Sequence, residues 1–177
     1  MLVTSTGATV NPGDIAATKM ASFVGPLIRF GEFLNGDGFS DYEHAFCYVG
    51  GPDDLILEAE PGGSRLVPFH YEMRTCLWTS GIPAFALAVS TGRVEEIARR
   101  YTGIGYSFLD YAALSMHRLG IPAPGLRRFI GTTRHMICSQ LADQFRLDLG
   151  SHLFNDGRWP GFVTPAEIAN LIRSAGE

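Results

Sequence analysis

The chain is poor in cysteine and has no long apolar run. Only three cysteines occur in 177 residues, and no two of them form a Cys-X-X-Cys pair. An odd, small number argues against a disulfide framework, and the missing paired spacing argues against a structural zinc site. No uninterrupted apolar run approaches the roughly 20 residues that a membrane-spanning helix needs. We therefore predict a chain without a transmembrane segment.

Clustered positive charge is also missing. The formal net charge is −4, and the largest basic group is the small set Arg127, Arg128 and Arg134. A broad phosphate-contacting face is therefore not expected, and we predict no binding to nucleic acid. The first charged residue is Asp14, so no basic segment precedes an apolar one as in a secretory signal. The sequence favours a reducing compartment, or delivery without a signal of its own, and leaves the location open.

The remaining composition is that of an ordinary globular protein. Hydrophobic residues make up 46% and charged residues 18%, which predicts one domain over 1–177 with a sizeable core. Strand patterns alternate with turn signals in the first half, and helical patterns dominate the second half. We predict a compact α+β domain. The predicted strands cover 14–18, 44–50, 55–60, 64–69, 74–80 and 85–90, and the predicted helices include 23–34, 91–101, 107–119 and 164–174.

The stretch "HMICSQLAD" (135–143) contains a candidate nucleophile, Cys138. Apolar residues recur every four positions from Ile137 to Phe145, which predicts a helix with Cys138 at the border of its buried face. If the helix starts near 131–133, Cys138 lies in its first turn or two. There the helix dipole and unpaired N–H groups favour a thiolate and can stabilise an oxyanion. A buried apolar role is the alternative, and it suits the two strand cysteines, Cys47 and Cys76, better.

A thiol nucleophile needs a base, which is usually histidine. His135 is the nearest in sequence, but it precedes the predicted helix or lies on its first turn, where it can equally be a solvated residue. His44 opens a strand after a Gly-rich loop, a position where a rigid element can present a side chain to a site. Of the five histidines, His44 is the preferred base.

Two glutamates are candidates to orient the base. Glu58 follows His44 by fourteen residues, in the second strand of the predicted hairpin, where the two can be neighbours on one face. Glu60 has the same side-chain parity as Glu58 and faces the same side. The pattern alone does not separate them, and each can also be a polar residue at a strand end. Hairpin geometry gives Glu58 a modest advantage.

The ordered motifs resemble a known superfamily. In chain order they are "PGDI" (12–15), "EHAFCYVG" (43–50), "LILEAEPGG" (55–63), "YTGIGYSFLDY" (101–111), "ICSQLAD" (137–143) and "VTPAEIANL" (163–171). Together they resemble the permuted branch of the NlpC/P60 papain-like superfamily. That branch contains the YiiX/YaeF-like hydrolases and, more distantly, lecithin:retinol acyltransferase. The resemblance covers about residues 11–172 and implies an antiparallel sheet or partial barrel packed against helices, including a nucleophile helix.

The resemblance implies a role for each matched residue. Cys138 matches the nucleophile, His44 the base and Glu58 the polar residue that orients the base, with Glu60 as the other candidate. The "PGDI" motif matches the entry into the first core strand, where Gly13 serves a turn and Asp14 is structural. Tyr42, two residues before His44, is a candidate oxyanion donor. One departure is Phe46, because relatives often carry small residues after the histidine.

Three functional hypotheses follow from this resemblance. The first is a cysteine hydrolase that cleaves an amide, such as a cell-wall or other short peptide, without a cofactor. The second is an acyltransferase or lipid esterase with the same triad, in which the apolar segment 23–34 helps to bind an acyl chain. The third is a binding, inhibitory or structural module without chemistry. A metal site formed by His44, His135 and Cys138 ranks last, since no ligand spacing demands it. The oligomeric state is left open.

Overall fold

A computed structural model describes residues 2–19, 41–70, 75–106 and 136–177. The predicted helices over 23–34 and 107–119 lie outside these described residues. His117 and His135, two of the five histidines, lie outside them as well. Within the described residues, no helix has the length and apolar character required to cross a bilayer.

Five strands form one open antiparallel sheet. They are β1 (Ile15–Thr18), β2 (His44–Gly50), β3 (Leu55–Glu60), β4 (Gly63–Pro68) and β5 (Cys76–Trp78). Their order across the sheet is β4-β3-β2-β1-β5. The first five predicted strands are therefore confirmed as β1 to β5, and their predicted ends differ from the observed ends by no more than two residues. The shape is an open sheet, the first of the two shapes that the resemblance implies.

The tight turn between β3 and β4 sets the register of the outer hairpin. Glu60 pairs with Gly63, which leaves Pro61 and Gly62 as the two turn residues. Gly63 has a φ of +115°, and a Cβ atom there would lie 2.8 Å from the carbonyl oxygen of Ile104. A side chain at this position would be strained and would collide with backbone. The glycine thus permits the close approach, and the register then places Arg65 opposite Glu58.

Three helices pack against the sheet: α1 (Thr91–Tyr101), α2 (Cys138–Asp148) and α3 (Pro165–Gly176). The α3 start is as predicted, because the Thr164 side chain accepts from the Glu167 N–H while Glu167 binds the Thr164 N–H. The α2 start is later than predicted. That helix begins at Cys138 itself, and not near 131–133.

The predicted strand over 85–90 is wrong. A 3-10 turn covers Pro83–Phe85, and residues 86–90 have no sheet partner within the part of the chain that the structure describes. Leu87 and Val89 instead pack over Gly13, where an added Cβ would lie 3.2 Å and 3.7 Å from their side chains. The apolar alternation is real, but it covers a turn and does not extend the sheet.

The main core lies between α2 and one face of the sheet. Ile137, Leu141 and Phe145, the predicted apolar face, are all buried. Leu141 and Phe145 belong to one cluster with alternate residues of the two central strands, namely Ala45, Cys47, Val49, Leu57 and Ala59. Phe46, Tyr48 and Ile56, which lie between them in sequence, form a second cluster with Trp78 of β5 on the other face. Burial of both faces explains why β2 reads as an almost continuous apolar run.

A buried arginine ties α2 to the entry of β1. Arg146 donates to the carbonyl oxygen of Gly13 at 3.2 Å and to that of Phe85 at 2.9 Å. The neighbouring Asp14 carboxylate accepts from the hydroxyls of Thr79 and Ser80. These contacts give Asp14 the structural role expected from the "PGDI" motif. They also fix α2, and hence Cys138, relative to the sheet.

Candidate active site

Cys138 is the first residue of α2 and is 1% exposed. The N-cap residue Ile137 has no side-chain acceptor, so its side chain caps none of the N–H groups of the first turn. Gln140 partly replaces a cap: its Oε1 accepts from the Ile137 N–H at 3.3 Å, and its Nε2 donates to the Gly161 carbonyl at 2.8 Å. Ser139 donates to the Val163 carbonyl at 2.7 Å. Both contacts pin the thiol-bearing turn to the segment before α3.

His44 is the first residue of β2 and is 2% exposed. Its ring is in hydrogen-bond contact with the thiol of Cys138, while its Nε2 lies 3.2 Å from Glu58 Oε2. Because Nε2 is engaged with the carboxylate, Nδ1 is the ring nitrogen available to the thiol. The two predicted partners of His44 therefore both contact its ring.

The contact between His44 and Glu58 is diagonal across the hairpin. Glu58 lies directly opposite Phe46, two residues beyond His44. Diagonal neighbours on one face remain within reach when both side chains are long. Glu58 is 1% exposed, so its carboxylate lies in the interior with the imidazole. His44 and Glu58 are therefore neighbours on one face, as the sequence predicted, but as a diagonal pair and not a directly opposite one.

Charges around His44 favour its protonated form. Burial acts to lower the pKa of His44, but the charge on Cys138, the hydrogen bond to Cys138 and the contact with Glu58 outweigh it and raise the pKa to about 9. A coulombic interaction acts on both partners, so a charged imidazolium also favours the Cys138 thiolate. The contacts of His44 therefore favour an imidazolium beside Cys138.

Arg65 is a site residue that the sequence reasoning missed. Its Nη2 lies 3.1 Å from Glu58 Oε1 and 2.5 Å from Glu60 Oε2, and its Nε lies 3.3 Å from Glu58 Oε1. The guanidinium thus bridges the two candidate glutamates. A signal for it was present, because a two-residue turn at Pro61–Gly62 makes residue 65 the partner of residue 58.

The structure gives the two glutamates different neighbours. Glu58 contacts both His44 and Arg65, whereas Glu60 contacts Arg65. One ligand atom from each of His44, Glu58 and Glu60 lies within 4.8 Å of the others, a spacing that could hold a metal ion. The guanidinium of Arg65 already neutralises these carboxylates, and its charge would oppose a cation there. The predicted metal set of His44, His135 and Cys138 includes a residue outside the described part of the chain.

Tyr42 lies close to the site in sequence and is buried. Its ring is stacked by the Arg173 guanidinium at 4.9 Å and lies 5.8 Å from the Lys19 ammonium. These are cation–π contacts, which position the ring. A role for the Tyr42 hydroxyl as an oxyanion donor stays a prediction.

The other two cysteines differ from Cys138 in their surroundings. Cys47 is fully buried in β2, and burial raises its pKa well above the ordinary thiol value. Cys76 is partly exposed on the edge strand β5. A desolvated thiol is a poor nucleophile, so Cys47 fits the predicted apolar role.

Phe46, the departure from the family pattern, packs away from the thiol. Its ring lies 5.4 Å from that of Trp78 and 5.6 Å from that of Phe69, and 6.3 Å from the His44 ring. The aromatic cluster of Phe46, Phe69 and Trp78 thus packs beside the imidazole of His44. The Phe46 side chain does not separate His44 from Cys138, because those two residues are in contact.

No protein-family model matches this chain, and a search of curated proteins finds no significant relative. The resemblance to the permuted NlpC/P60 superfamily therefore stays a prediction that is carried by the motifs.

Proposed function

We propose that this protein is a papain-like cysteine hydrolase that cleaves an amide bond in a peptide substrate. The observation that carries the proposal is the unbroken series of contacts from the Cys138 thiol to the His44 ring and on to the Glu58 carboxylate. A nucleophile, a base and an orienting acid in this order support nucleophilic catalysis.

In the first half-reaction, the Cys138 thiolate attacks the carbonyl carbon, and the carbonyl π electrons move to oxygen. First-turn N–H groups of α2 stabilise the resulting oxyanion, since no side chain of Ile137 caps them. The oxyanion then collapses, the carbon–nitrogen bond breaks, and His44 gives its proton to the leaving amine. The product of this step is a thioester on Cys138.

In the second half-reaction, neutral His44 takes a proton from water, and the hydroxide attacks the thioester carbon. The carbon–sulfur bond breaks, which releases a carboxylic acid and restores the thiolate beside the protonated imidazole. Throughout both steps, Glu58 holds the ring through Nε2 and keeps Nδ1 directed toward the sulfur.

The direct test is alkylation of the three cysteines by iodoacetamide at pH 6, followed peptide by peptide with mass spectrometry. Cys47 is a matched control for burial, and Cys76 is a control for exposure. We expect Cys138 to react faster than both, and His44→Gln to remove the difference. A Cys138 rate no greater than that of Cys47 would overturn the proposal.

A second experiment separates hydrolysis from acyl transfer and from a silent module. The protein is incubated with a short peptide thioester or a lipid ester and quenched in acid, and the mass of the intact protein is then measured by mass spectrometry. An adduct formed from the peptide and lost into water supports the proposed hydrolase. An adduct formed only from the lipid would replace it with the acyltransferase or esterase hypothesis, and no adduct from either would favour a binding module.

A further inference from the structure

The position of Arg65 in the outer hairpin is the starting point. Its strand, β4, pairs with β3 so that Arg65 lies directly opposite Glu58. Two of its nitrogens reach the same oxygen, Glu58 Oε1, at 3.1 and 3.3 Å. The other oxygen, Oε2, faces His44. The carboxylate is thus shared between one charged donor and one imidazole.

Burial differs sharply between the two partners. The Glu58 side chain is 1% exposed, whereas that of Arg65 is 52% exposed. A buried carboxylate without a counter-charge is costly and tends to take up a proton. Arginine stays charged at every pH at which a protein folds. Arg65 can therefore supply a permanent positive charge from the surface to an interior acid.

The protonation of Glu58 decides which nitrogen of His44 carries the proton. An ionised carboxylate can only accept, so it requires the hydrogen on Nε2 and leaves Nδ1 for the thiol. A protonated carboxyl group can donate to Nε2 instead, which would place the ring in the other tautomer. The state of Glu58 thus controls whether His44 can serve Cys138.

We propose that Arg65 is a positioning residue that keeps Glu58 ionised and thereby sets the tautomer and charge of His44, with Glu60 holding the guanidinium in place. This inference rests on the proposed cysteine chemistry. It assigns the two candidate glutamates to different tasks: Glu58 acts on His44, and Glu60 acts on Arg65 through the 2.5 Å contact. Arg65 acts through Glu58 and touches neither substrate nor sulfur in this scheme.

The test compares Arg65→Met, which removes the charge at similar volume, with Arg65→Lys, which restores it. Arg99→Met is the matched control, since Arg99 is an exposed arginine paired with Glu95 on α1. Two readouts are taken on each protein: the rate of Cys138 alkylation from pH 4 to 10, and the ¹⁵N NMR signals of the His44 ring over the same range.

We expect Arg65→Met to raise the pH midpoint of the alkylation rate by about one unit, which slows alkylation about tenfold at any pH below the midpoint of the parent protein. The ring signals of His44 should lose the doubly protonated pattern at a lower pH than in the parent protein, where the pKa of His44 is about 9. Arg65→Lys should recover most of both effects, and Arg99→Met should change neither. Glu60→Gln should shift both readouts in the same direction by a smaller amount.

Unchanged rates and ring signals in Arg65→Met would overturn the inference, as would equal losses in the Met and Lys variants, which would indicate packing and not charge. A parent protein whose Cys138 reacts no faster than Cys47 would instead overturn the proposed function. In that case the His44 ring signals still decide the role of Arg65, because they need no reaction at sulfur.

Discussion

Among the described residues, two histidine–carboxylate pairs with a buried acid lie near α2, and the first of them adjoins the thiol at the start of that helix. His44 lies 3.2 Å from Glu58, and His152 lies 2.8 Å from Asp143, through Nε2 in both cases. Both carboxylates are essentially inaccessible to solvent. By distance alone, the second pair is the better hydrogen bond.

The difference lies in what surrounds each pair. The second oxygen of Glu58 faces the charged Arg65, whereas that of Asp143 accepts the backbone N–H of Leu153 at 3.2 Å. The His152 side chain is 19% exposed, so its ring also meets solvent. Burial raises the pKa of Asp143 against the opposing effects of His152 and other donors. This pair ties the loop after α2 to the helix.

The comparison shows that a histidine–carboxylate contact is not by itself a sign of catalysis. What distinguishes the first pair is the thiol at a helix start on one side of the imidazole and a permanent cation on the far side of the acid. A histidine–carboxylate hydrogen bond occurs both in structural contacts and in reactive sites, and the groups around it distinguish the two cases.

The largest contrast is expected between His44→Gln and His152→Gln. The first removes the partner that stabilises the thiolate, so alkylation of Cys138 at pH 6 should fall about 100-fold. The second should leave that rate within a factor of two, because His152 contacts Asp143 and not the thiol. Parallel rate measurements by peptide mass spectrometry decide the matter, and equal losses in both variants would erase the distinction between the pairs.

The two acids should separate reactivity from stability. Glu58→Gln keeps a hydrogen-bonding group but removes the charge, and we expect about a tenfold slower alkylation of Cys138. Asp143→Asn should instead lower the free energy of unfolding by about 1–3 kcal/mol, because it disturbs buried contacts to His152 and Leu153. Urea melts alongside alkylation rates report both quantities. A reactive-site role for Asp143 would be indicated if its variant lost reactivity while keeping full stability.

Stability should depend on alkaline pH through His44. Its pKa in the folded protein, about 9, lies above the ordinary value of 6.5, so the folded state binds the proton more tightly than the unfolded state does. The stabilisation is fully present below pH 6.5 and is lost as the pH rises through 9. The Cys138 thiolate of the proposed pair binds its proton less tightly in the folded state, which offsets part of this effect, so we expect a net loss of no more than about 1 kcal/mol in this window. Urea melts between pH 6 and 10 test it, and His44→Gln should flatten the profile; an equal slope in that variant would assign the effect elsewhere.

The smallest effect is expected from Arg158→Met, the counterpart of Arg65 near the second pair. Arg158 influences Asp143 only by its charge, and its hydrogen bonds go to Asp156 and Glu167. Its ion pairs with Asp156 and Glu167 lie near the surface, where such pairs contribute little. The free energy of unfolding should therefore fall by about 1 kcal/mol or less, and the rate of Cys138 alkylation should not change. A change in alkylation as large as that of Arg65→Met would mean that any nearby arginine has the same influence.

Local signals predicted much of the fold. The strands β2 and β3 were predicted with their observed bounds, since alternating apolar residues between glycine-rich turns leave few options. The start of α3 was predicted because Thr164, Pro165 and Glu167 form a capping signature that needs no tertiary information. Hairpin parity predicted both Glu58 and Glu60 on the face of His44, with a modest advantage for Glu58.

Other features depend on contacts that are distant in sequence. The α2 helix begins at Cys138 because Gln140 and Ser139 bind the segment before α3, and an apolar N-cap such as Ile137 gives no local warning. The false strand over 85–90 arose because apolar alternation does not reveal whether a partner strand is present. Arg65 could not be recognised from the β2–β3 hairpin, because it reaches Glu58 through the separate pairing of β3 with β4.

The two-residue turn at Pro61–Gly62 has a consequence for how this chain can vary. Side chains alternate along a strand, so an inserted residue that left the turn at two residues would shift the register of β4 by one and move Arg65 to the opposite side of the sheet. The protein would keep its hairpin and lose the cation behind Glu58. The register after this turn therefore matters to the site as much as the arginine itself. A gap or insertion there is the first place to look when asking whether a related sequence has kept the charge arrangement of the site.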